Sequence, residues 1–359
     1  RPLTSGMHAA CVSGLRAGVL YRHPLARARA LGASYLVQSV APNCFASERK
    51  SVVALARTER FVKASSGTGM SKKFLDAHLH VWPSPETYTY PEGKQPPLSL
   101  ATTGTAESLL SQFELAGVDG ALIVQPINLG YDHSYVTGVI TRFPTKFVGC
   151  CLADPSVNGG GASALQELLT PSGVYRAVRF NPGLWPEGER MTNSVGREMF
   201  KVAGERDAFV GFMCFHGLHL HLEDIKDLLA EFPDTRVMMD HFGFVKGTED
   251  PNWQALLSLH EYPQVTIKAS AQFRVATDDA KQWPYTSTGE QLRVLVETFG
   301  AARIVWGSDF PYVTLECGYD KSAAIVKECG ANLTDEQLEL VMGGNLGRMF
   351  PGGWGDDAS

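Results

Sequence analysis

The chain of 359 residues lacks several features that would assign it at once to a simple class of protein. Its seven cysteines include no Cys-x-x-Cys pair, and an odd number of thiols cannot form a closed set of disulfide bridges. No apolar run reaches the roughly 18 residues that a membrane-spanning helix needs. Clustered lysine and arginine side chains, which bind nucleic-acid phosphates, are missing after Lys73. We therefore expect reduced structural thiols, and neither a nucleic-acid nor a membrane partner.

Acidic residues are nearly absent from the first part of the chain. Residues 1–73 contain Glu48 and Glu59 against twelve Lys and Arg, a net charge of +10, whereas residues 74–359 have a net charge of −16. A segment rich in Arg, Ala and Ser with few acids is typical of organelle transit peptides. We predict that residues 1–71 are a disordered transit peptide for the chloroplast or, alternatively, the mitochondrion. A disordered extension without a targeting role is the other interpretation.

From Lys72 onward, short apolar runs alternate with amphipathic segments. Eight runs rich in β-branched and aromatic residues predict β-strands, at 73–81, 119–126, 147–154, 175–182, 209–217, 236–243, 264–271 and 303–311. Strand–helix alternation repeated eight times favours an α/β fold of the (β/α)8 TIM barrel type. A doubly wound sheet is disfavoured because no Gly-x-Gly-x-x-Gly follows the first strand. We expect a single barrel domain over residues 72–352 and a C-terminal tail at 353–359.

Active sites of TIM barrels lie at the carboxyl ends of the strands, so polar residues there are candidate functional residues. Strand one ends in His78 and His80, and period-two geometry places both imidazoles on one face, with Asp76 and Phe74 behind them. Two imidazoles at this separation can bind one metal ion. The other strand ends carry Arg179, Asn181, His216, Asp240, His241, Lys268, Ser270 and Asp309. Salt bridges or caps would explain single members such as Asp240, but burying all of them unpaired would cost several kcal/mol each.

Several of these polar residues are candidates to bind substrate. Arg179 is the best candidate for a substrate carboxylate, because its planar guanidinium donates paired hydrogen bonds. Arg274, just past strand seven, is a second candidate, with a surface ion pair as its alternative. The Pro-rich loop 82–104 is long enough to be a lid, and the loop 181–193 carries an aromatic wall residue; packing of either loop on the barrel rim is the alternative. The predicted substrate-binding residues are Arg179, Asn181, Lys268, Arg274 and Trp185. We expect a small anionic substrate.

Three motifs in combination resemble the amidohydrolase-related family (amidohydrolase 2) of TIM-barrel hydrolases. They are the His-x-His that ends strand one, the Asp-His of VMMDHFG, and WGSDFP in strand eight, followed by GNLGRMF. The resemblance covers about residues 74–350. It implies similarity to sugar-acid lactonases, to pyrone-dicarboxylate and muconolactone-type hydrolases, and to zinc decarboxylases of aromatic acids. The implied reaction is hydrolysis or decarboxylation of a small organic acid.

The resemblance also implies roles for individual residues. His78 and His80 match the His-x-His pair, His241 matches the strand-six histidine, and Asp309 matches the strand-eight aspartate that handles the water proton. In metal-binding members a strand-five histidine completes the ligand set, and His216 is the nearest match. The register there is open, because further histidines follow at 219 and 221.

This sequence differs from larger amidohydrolases at one position that bears on the number of metal ions. Their two-metal sites use a carboxylated lysine on strand four, where this chain has Arg179, so we expect one divalent ion, zinc or manganese, or none. The predicted metal ligands are His78, His80, His216 and Asp309.

The expected activity is opening of a lactone or related cyclic ester of a small carboxylated acid. With a metal, the ion would acidify a bound water that attacks the carbonyl, and His241 would steer the proton. Without a metal, Asp309 would act as general base while His241 and the strand-one histidines stabilise the oxyanion. A metal-dependent decarboxylase and a catalytically silent ligand-binding barrel are the alternatives. The sequence leaves open whether the chain forms a homo-oligomer.

Overall fold

The computed structural model describes residues 72–278 and 281–355, so the predicted transit peptide at 1–71 lies outside the described part. Eight parallel strands form one sheet in which each strand pairs with the next along the chain. The strands are β1 (Leu75–Leu79), β2 (Gly120–Val124), β3 (Phe147–Cys151), β4 (Tyr175–Phe180), β5 (Phe209–Phe212), β6 (Arg236–Met239), β7 (Val265–Ser270) and β8 (Ile304–Gly307). Each lies within one of the eight predicted ranges.

The first and last strands meet and close the sheet into a barrel. Leu79 forms a parallel bridge with Phe310, beyond the end of β8. The backbone N–H of His80 donates to the carbonyl of Phe310 at 2.7 Å, and the N–H of Asp309 donates to the carbonyl of His78 at 2.8 Å. The predicted TIM barrel is therefore confirmed.

Helices follow the strands and cover the outside of the barrel. The α-helices are α1 (Ala106–Ala116), α2 (Ser134–Arg142), α3 (Gly161–Leu168), α4 (Ser194–Glu205), α5 (Leu222–Glu231), α6 (Trp253–Ser258), α7 (Gln272–Val275), α8 (Ser287–Phe299), α9 (Tyr319–Glu328), α10 (Asp335–Glu339) and α11 (Asn345–Met349). Helix α1 shows how local sequence sets the boundaries: the Thr105 side chain accepts from the N–H of Ser108, and Gly117 ends the helix at a φ of 71°. In the described residues, we find no helix with the length and apolarity needed to cross a bilayer.

Buried apolar side chains form two layers. The larger layer lies between strands and helices and includes Leu79, Phe180 and Trp306. The smaller layer fills the barrel interior below the strand ends that carry the polar residues, with Leu122, Ala177 and Met238 among its members. This arrangement follows from strand geometry, because alternate side chains point into and out of the barrel.

The carboxyl-terminal segment closes the amino-terminal end of the barrel. Phe350 and Trp354 belong to the interior layer, and their ring centroids are 6.3 Å apart. Lys73 Nζ donates to the carbonyl of Trp354 at 2.7 Å, which joins the two ends of the described chain. Trp354, in the predicted tail, therefore covers the apolar floor of the barrel. The rest of that tail, 356–359, lies outside the described residues.

Candidate active site

A β-bulge in β1 turns the two histidines of the His-x-His motif toward the barrel interior. The pairing register with β2 shifts between Asp76 and Leu79, so β1 carries one extra residue there. The interior-facing side chains of this segment are Leu75, Ala77, His78 and His80. Uniform alternation was expected to place Asp76 and Phe74 on the same face as the histidines. That expectation is wrong, because the bulge changes the phase and leaves both residues facing outward.

The outward-facing carboxylate of Asp76 holds the bulge in place. Its Oδ1 accepts from the backbone N–H of His78 at 2.9 Å and of Ser308 at 3.0 Å. Its Oδ2 accepts from the hydroxyl of Tyr319 at 3.0 Å. Burial raises the pKa of this carboxyl to about 6. Because Ser308 directly precedes Asp309, one carboxylate links the histidines of β1 to the aspartate that follows β8.

Asp309 lies at the centre of the candidate site. Its Oδ1 is 3.6 Å from His80 Nε2, 3.9 Å from His241 Nε2 and 4.0 Å from His78 Nε2. Its Oδ2 accepts from Arg274 Nε at 2.7 Å. Burial raises the pKa of Asp309 to about 6, against the opposing charge of Arg274. A buried carboxylate with one oxygen fixed and the other facing three imidazoles can accept a proton from a bound water.

Two of the imidazoles are oriented through their Nδ1 atoms. His80 Nδ1 donates to the carbonyl of Val124 at 2.8 Å, and His241 Nδ1 is 2.8 Å from the hydroxyl of Ser270. Burial lowers the pKa of His80 to about 3 and that of His241 well below its ordinary value. Both rings are therefore neutral at pH 7. With Nδ1 engaged, each ring presents Nε2 toward Asp309.

The third imidazole, His78, belongs to a buried network of charges. Its Nε2 is 2.7 Å from a guanidinium nitrogen of Arg179, which can only donate, so Nε2 accepts and Nδ1 donates to Asp240 Oδ1 at 3.2 Å. Lys268 Nζ is 3.0 Å from the same Asp240 oxygen. Burial alone would raise the pKa of Asp240, but the charges of Lys268 and Arg179 and the hydrogen bond from His78 hold it well below its ordinary range. Arg179 at Nε2 and Asp240 at Nδ1 favour the Nδ1-protonated tautomer of His78, although Lys268 Nζ also lies 3.3 Å from Nδ1.

Three residues that follow strands have strained backbone. His241, Ala271 and Asp309 have φ values of 51°, 53° and 61°, in the left-handed region that residues with a side chain rarely adopt. Such conformations persist where the surroundings fix them, and they cluster at active sites. The backbone is also closely packed at Gly307, where a Cβ atom would lie 2.9 Å from the Cβ of His78. The strain therefore marks the same end of the barrel as the buried charges.

A cavity of about 240 Å³ opens above these residues. Its polar lining residues include His80, Gln125, Arg179, Asn181, Arg274 and Asp309. Met213, Phe244 and Tyr312 contribute apolar walls, and the Arg274 guanidinium lies 4.8 Å from the ring centre of Tyr312. A concave pocket with convergent polar groups and buried titratable residues is the usual form of a small-molecule site.

The sequence model of the amidohydrolase family matches residues 75–352, most of the chain. The protein belongs to the amidohydrolase family. Two curated relatives match at lower coverage. The 4-sulfomuconolactone hydrolase of Hydrogenophaga intermedia is 25% identical over 244 residues, covering 66% of this chain and 74% of the relative. The L-fucono-1,5-lactonase of Burkholderia ambifaria is 23% identical over 290 residues, covering 76% of this chain and 93% of the relative.

Solved structures of amidohydrolases have the same fold. A probable 2-pyrone-4,6-dicarboxylic acid hydrolase from Acinetobacter baumannii, with citric acid bound, has a TM-score of 0.62 at 20% identity and covers 77% of this chain and 98% of its own. An amidohydrolase from Burkholderia multivorans with bound zinc has a TM-score of 0.61 at 17% identity, with coverage of 77% and 98%. The 5-carboxyvanillate decarboxylase from Sphingomonas paucimobilis has a TM-score of 0.55 at 13% identity, covering 78% and 99%. At these identities the likeness concerns the fold alone.

The amidohydrolase barrel brings together most of the residues that the sequence singled out. His78, His80, His241 and Asp309 converge in one buried cluster. Three of the five predicted substrate-binding residues, Arg179, Asn181 and Arg274, line the cavity. Asn181 also accepts, through its side chain, from the N–H of Gly183 at 3.1 Å, which fixes the start of the loop after β4.

His216 does not join the cluster. Strand β5 ends at Phe212, earlier than the predicted limit at residue 217, so His216 falls in the following loop. There it is exposed and lines a different cavity, while Met213 occupies the wall of the candidate site. The histidine of the cluster that the predicted ligand set omitted is His241. His216 was expected in the cluster because an apolar run such as FVGFMCF does not define where its strand ends.

Two predicted substrate ligands lie outside the cavity wall. Lys268 is 1% exposed and pairs with Asp240 below the cavity, where a substrate cannot reach it without breaking that pair. Trp185 is buried against Phe180, with ring centroids 5.1 Å apart, so it packs beneath the rim instead of facing the cavity. Lys268 and Trp185 therefore contribute to packing and charge pairing within the barrel, and the sequence alone did not distinguish this role from substrate binding.

Gln125, Phe244 and Tyr312 were not assigned from the sequence although they line the cavity. Gln125 directly follows β2 and could have been found by the strand-end rule. Its amide donates to the carbonyls of Gly130 and Asp132 at 3.2 and 2.8 Å, which shapes the loop after β2. The two aromatic residues lie on short helical turns after β6 and β8, and we find no sequence signal for their position.

The cluster contains a donor set for one divalent ion. His78, His241 and Asp309 each offer one ligand atom, and these atoms lie within 4.8 Å of one another. Two imidazole nitrogens and a carboxylate oxygen suit zinc or manganese and leave coordination positions open for water. The donors therefore fit the metal that the family allows. Metal binding at His78 would compete with Arg179, whose guanidinium already faces the same nitrogen at 2.7 Å.

Proposed function

We propose that this amidohydrolase-family protein hydrolyses a lactone or related cyclic ester of a small carboxylated acid. The observation that carries the proposal is the position of Asp309: buried, fixed by Arg274, and facing three imidazole nitrogens at 3.6 to 4.0 Å beside an arginine-lined cavity. Two curated relatives, a 4-sulfomuconolactone hydrolase and an L-fucono-1,5-lactonase, support the choice of a lactone.

The hydrolytic step uses Asp309 as its base. Oδ1 takes a proton from water while the water oxygen forms a bond to the carbonyl carbon of the ring ester. Collapse of the tetrahedral intermediate breaks the bond between that carbon and the ring oxygen. The proton on Asp309 then passes to the leaving oxygen, and the product is the open hydroxy acid. Fixing Oδ2 on Arg274 keeps Oδ1 free for this exchange.

The carbonyl oxygen needs a hydrogen-bond donor as it gains negative charge. His80 cannot donate through Nε2, because its proton is on Nδ1 and is bound to Val124. His241 can donate through Nε2 when the Ser270 hydroxyl donates to its Nδ1. We assign carbonyl polarisation to His241 and substrate carboxylate binding to Arg179, with Asn181 beside it on the cavity wall.

A divalent ion on His78, His241 and Asp309 would supply an acidified water for the same attack. Arg179 and Asn181 would bind the substrate in both cases, whereas His241 would polarise the carbonyl only where no ion occupies its Nε2. Measuring the metal content of the purified protein, together with its activity before and after chelation, distinguishes the metal-dependent mechanism from the metal-free one. Full activity after chelation, without stoichiometric zinc or manganese, would leave Asp309 as the base on free water and would remove the metal-dependent decarboxylase alternative.

A panel of carboxylated lactones and aromatic carboxylic acids tests the reaction class. We expect ring opening, followed as proton release, for at least one carboxylated lactone, and no carbon dioxide from any acid. Carbon dioxide release without lactone opening would favour the decarboxylase. Binding without turnover of either class would favour the catalytically silent barrel.

We further propose that residues 1–71 direct the protein to the chloroplast. The support is the net charge of +10 carried by residues 1–73, together with their Arg-, Ala- and Ser-rich composition. A fusion of residues 1–71 to a fluorescent protein, expressed in plant cells, is expected to accumulate in chloroplasts. Mitochondrial accumulation would support the alternative organelle, and diffuse fluorescence would contradict targeting.

A further inference from the structure

A second cavity of about 330 Å³ adjoins the candidate active site. The two cavities share lining residues from three loops, namely Ile127, Asn181, Met213 and Phe215. Shared walls on this scale mean that one ligand can extend from the first cavity into the second. The family site accounts for the first cavity only, and the proposed reaction makes no use of the second.

The second cavity has a cationic and imidazole lining without carboxylates. Lys94 comes from the long loop 82–104, and His216 and His221 come from the segment after β5. None of the described lining residues is Asp or Glu. In the first cavity, by contrast, Arg274 is already paired with Asp309 at 2.7 Å. An anionic group that enters the second cavity therefore meets positive charge that the described lining does not neutralise.

The loop that carries Lys94 is attached to the rim of the barrel. The side-chain amide of Asn128 donates to the carbonyl of Lys94 at 3.0 Å. Asn128 itself lines the first cavity, so this bond places the Lys94 backbone next to the passage between the cavities. A cation whose backbone is fixed in this way loses less freedom when it binds an anion than one on an unattached loop.

An aromatic path joins the two cavities. Ring centroids are 5.0 Å apart between His241 and Phe244, 5.3 Å between Phe244 and Phe215, and 5.2 Å between Phe215 and His216. Phe215 is 56% exposed and Ile127 is 44% exposed, although both are large and apolar. These side chains lie where the middle of an extended ligand would cover them, which would remove their apolar surface from water.

We propose that the substrate is an elongated acid: an ester ring with an apolar arm that ends in a carboxylate or another anionic group. The ring occupies the first cavity, the arm lies along Phe244 and Phe215, and the anionic end binds Lys94 and His216 in the second cavity. This inference rests on the proposed function and specifies its substrate class. It also gives His216 a role in substrate binding in place of the metal-ligand role expected from the sequence.

Binding of unreactive acids tests the second cavity without requiring turnover. The probes are linear α,ω-dicarboxylic acids of increasing length and their monomethyl esters, with dissociation constants measured by calorimetry on the full chain. We expect affinity to rise with length until the second carboxylate reaches Lys94. Lys94→Met should then weaken the long diacid about fivefold and leave its monomethyl ester unchanged. His216→Gln should act in the same direction, with a smaller change.

Matched controls are available on the same chain. Lys327 and His260 are exposed and line neither cavity, so Lys327→Met and His260→Gln should leave both dissociation constants unchanged. Thermal midpoints equal to wild type would show that the test variants are folded. Equal loss for diacid and monoester, or no change with Lys94→Met at any length, would overturn the inference.

Turnover measurements distinguish this inference from the proposed function. A lactone with an arm ending in carboxylate should have a higher kcat/KM than its methyl ester, and Lys94→Met should abolish that preference. Hydrolysis of lactones without such a preference would overturn the inference and leave the proposed function intact. If Lys94→Met weakened binding of the long diacid but no lactone were hydrolysed, the second cavity would be supported as an anion site and the proposed function would be overturned.

Discussion

The interior of the barrel has two halves that differ in chemistry. Toward the amino-terminal ends of the strands, side chains such as Phe209, Met238 and Phe350 form an apolar layer. Toward the carboxyl ends, the same strands place buried ionisable groups, of which Asp240 and Lys268 are each 1% exposed. Apolar residues in the lower half need only to be buried together. Each charged group in the upper half needs a partner at a defined distance.

This difference separates stability from function along the barrel axis. The lower half gains free energy from removing apolar surface from water. The upper half has strained residues at His241 and Asp309 and charges held by the pairs Lys268 with Asp240 and Arg274 with Asp309. We therefore expect substitutions in the upper half to change mainly activity and those in the lower half to change mainly stability.

The sharpest test of the upper half is Asp309→Asn. The amide keeps the shape and an acceptor for Arg274 but cannot take a proton from water, so kcat for lactone opening should fall about 10³-fold. The thermal midpoint should stay close to wild type. Asp234→Asn, at an exposed position before β6, is the matched control and should keep full activity. A fully active Asp309→Asn protein would contradict the proposed mechanism, with or without a metal.

The corresponding test of the lower half is Phe350→Ala. This side chain is 1% exposed and packs on Phe209 with centroids 5.2 Å apart, so its removal leaves a cavity in the barrel floor. The free energy of unfolding should fall by about 3–5 kcal/mol. We expect kcat of the folded fraction to be unchanged, as measured after correction for unfolded protein. A loss of kcat comparable to that of Asp309→Asn would mean that the two halves are coupled.

Asp76 connects the two halves, because its carboxylate holds the bulge at which β1 changes from apolar to histidine-bearing. Asp76→Ala leaves the buried N–H groups of His78 and Ser308 without their acceptor and should lower stability by about 1–3 kcal/mol. Because these groups position His78 and Asp309, kcat should fall as well, with KM changing less. Asp76→Asn should recover part of both losses, since its amide oxygen can still accept. Loss of stability with unchanged kcat would assign Asp76 to the fold alone.

The smallest expected effect concerns His133, which directly precedes α2 on the rim of the barrel. Its Nε2 accepts from the N–H of Leu152 at 3.2 Å, and burial lowers its pKa from the ordinary 6.5. As the pH falls below about 6.5, His133 therefore takes up a proton in the unfolded chain before it does so in the folded protein. The neutral ring stabilises the fold above that pH, and acidification removes this stabilisation. His133→Gln should reduce the loss of stability between pH 7.5 and 5.5 by about 0.5 kcal/mol. Denaturant midpoints at both pH values measure it.

The pH comparison has an internal control in the lower half. Phe350→Ala removes no titratable group, so its decrease in stability should be the same at pH 7.5 and pH 5.5. If the decrease for Phe350→Ala varied with pH as much as that for His133→Gln, the pH dependence could not be assigned to the rim.

Much of the fold could be predicted from the sequence, because eight apolar runs and the helices between them are local features. The bulge in β1 could not, since its cause is the pairing with β2 and the carboxylate of Asp76 bound to Ser308, which follows β8. The end of β5 was also missed, because the apolar residues from 209 to 214 continue past the point where hydrogen bonding to β6 stops. Both errors concern pairing between strands, which hydrophobicity does not encode.

By itself, the sequence determined the closed barrel, the end of it that carries chemistry, and the identity of the histidines and the aspartate that follow its strands. Only the tertiary structure decided which of these groups face one another. It placed His216 and Lys94 in a neighbouring cavity and buried Lys268 against Asp240. The physical reason is that polarity and burial pattern are set along the chain, whereas the partner of a buried charge is set by distances of about 3 Å between strands far apart in sequence.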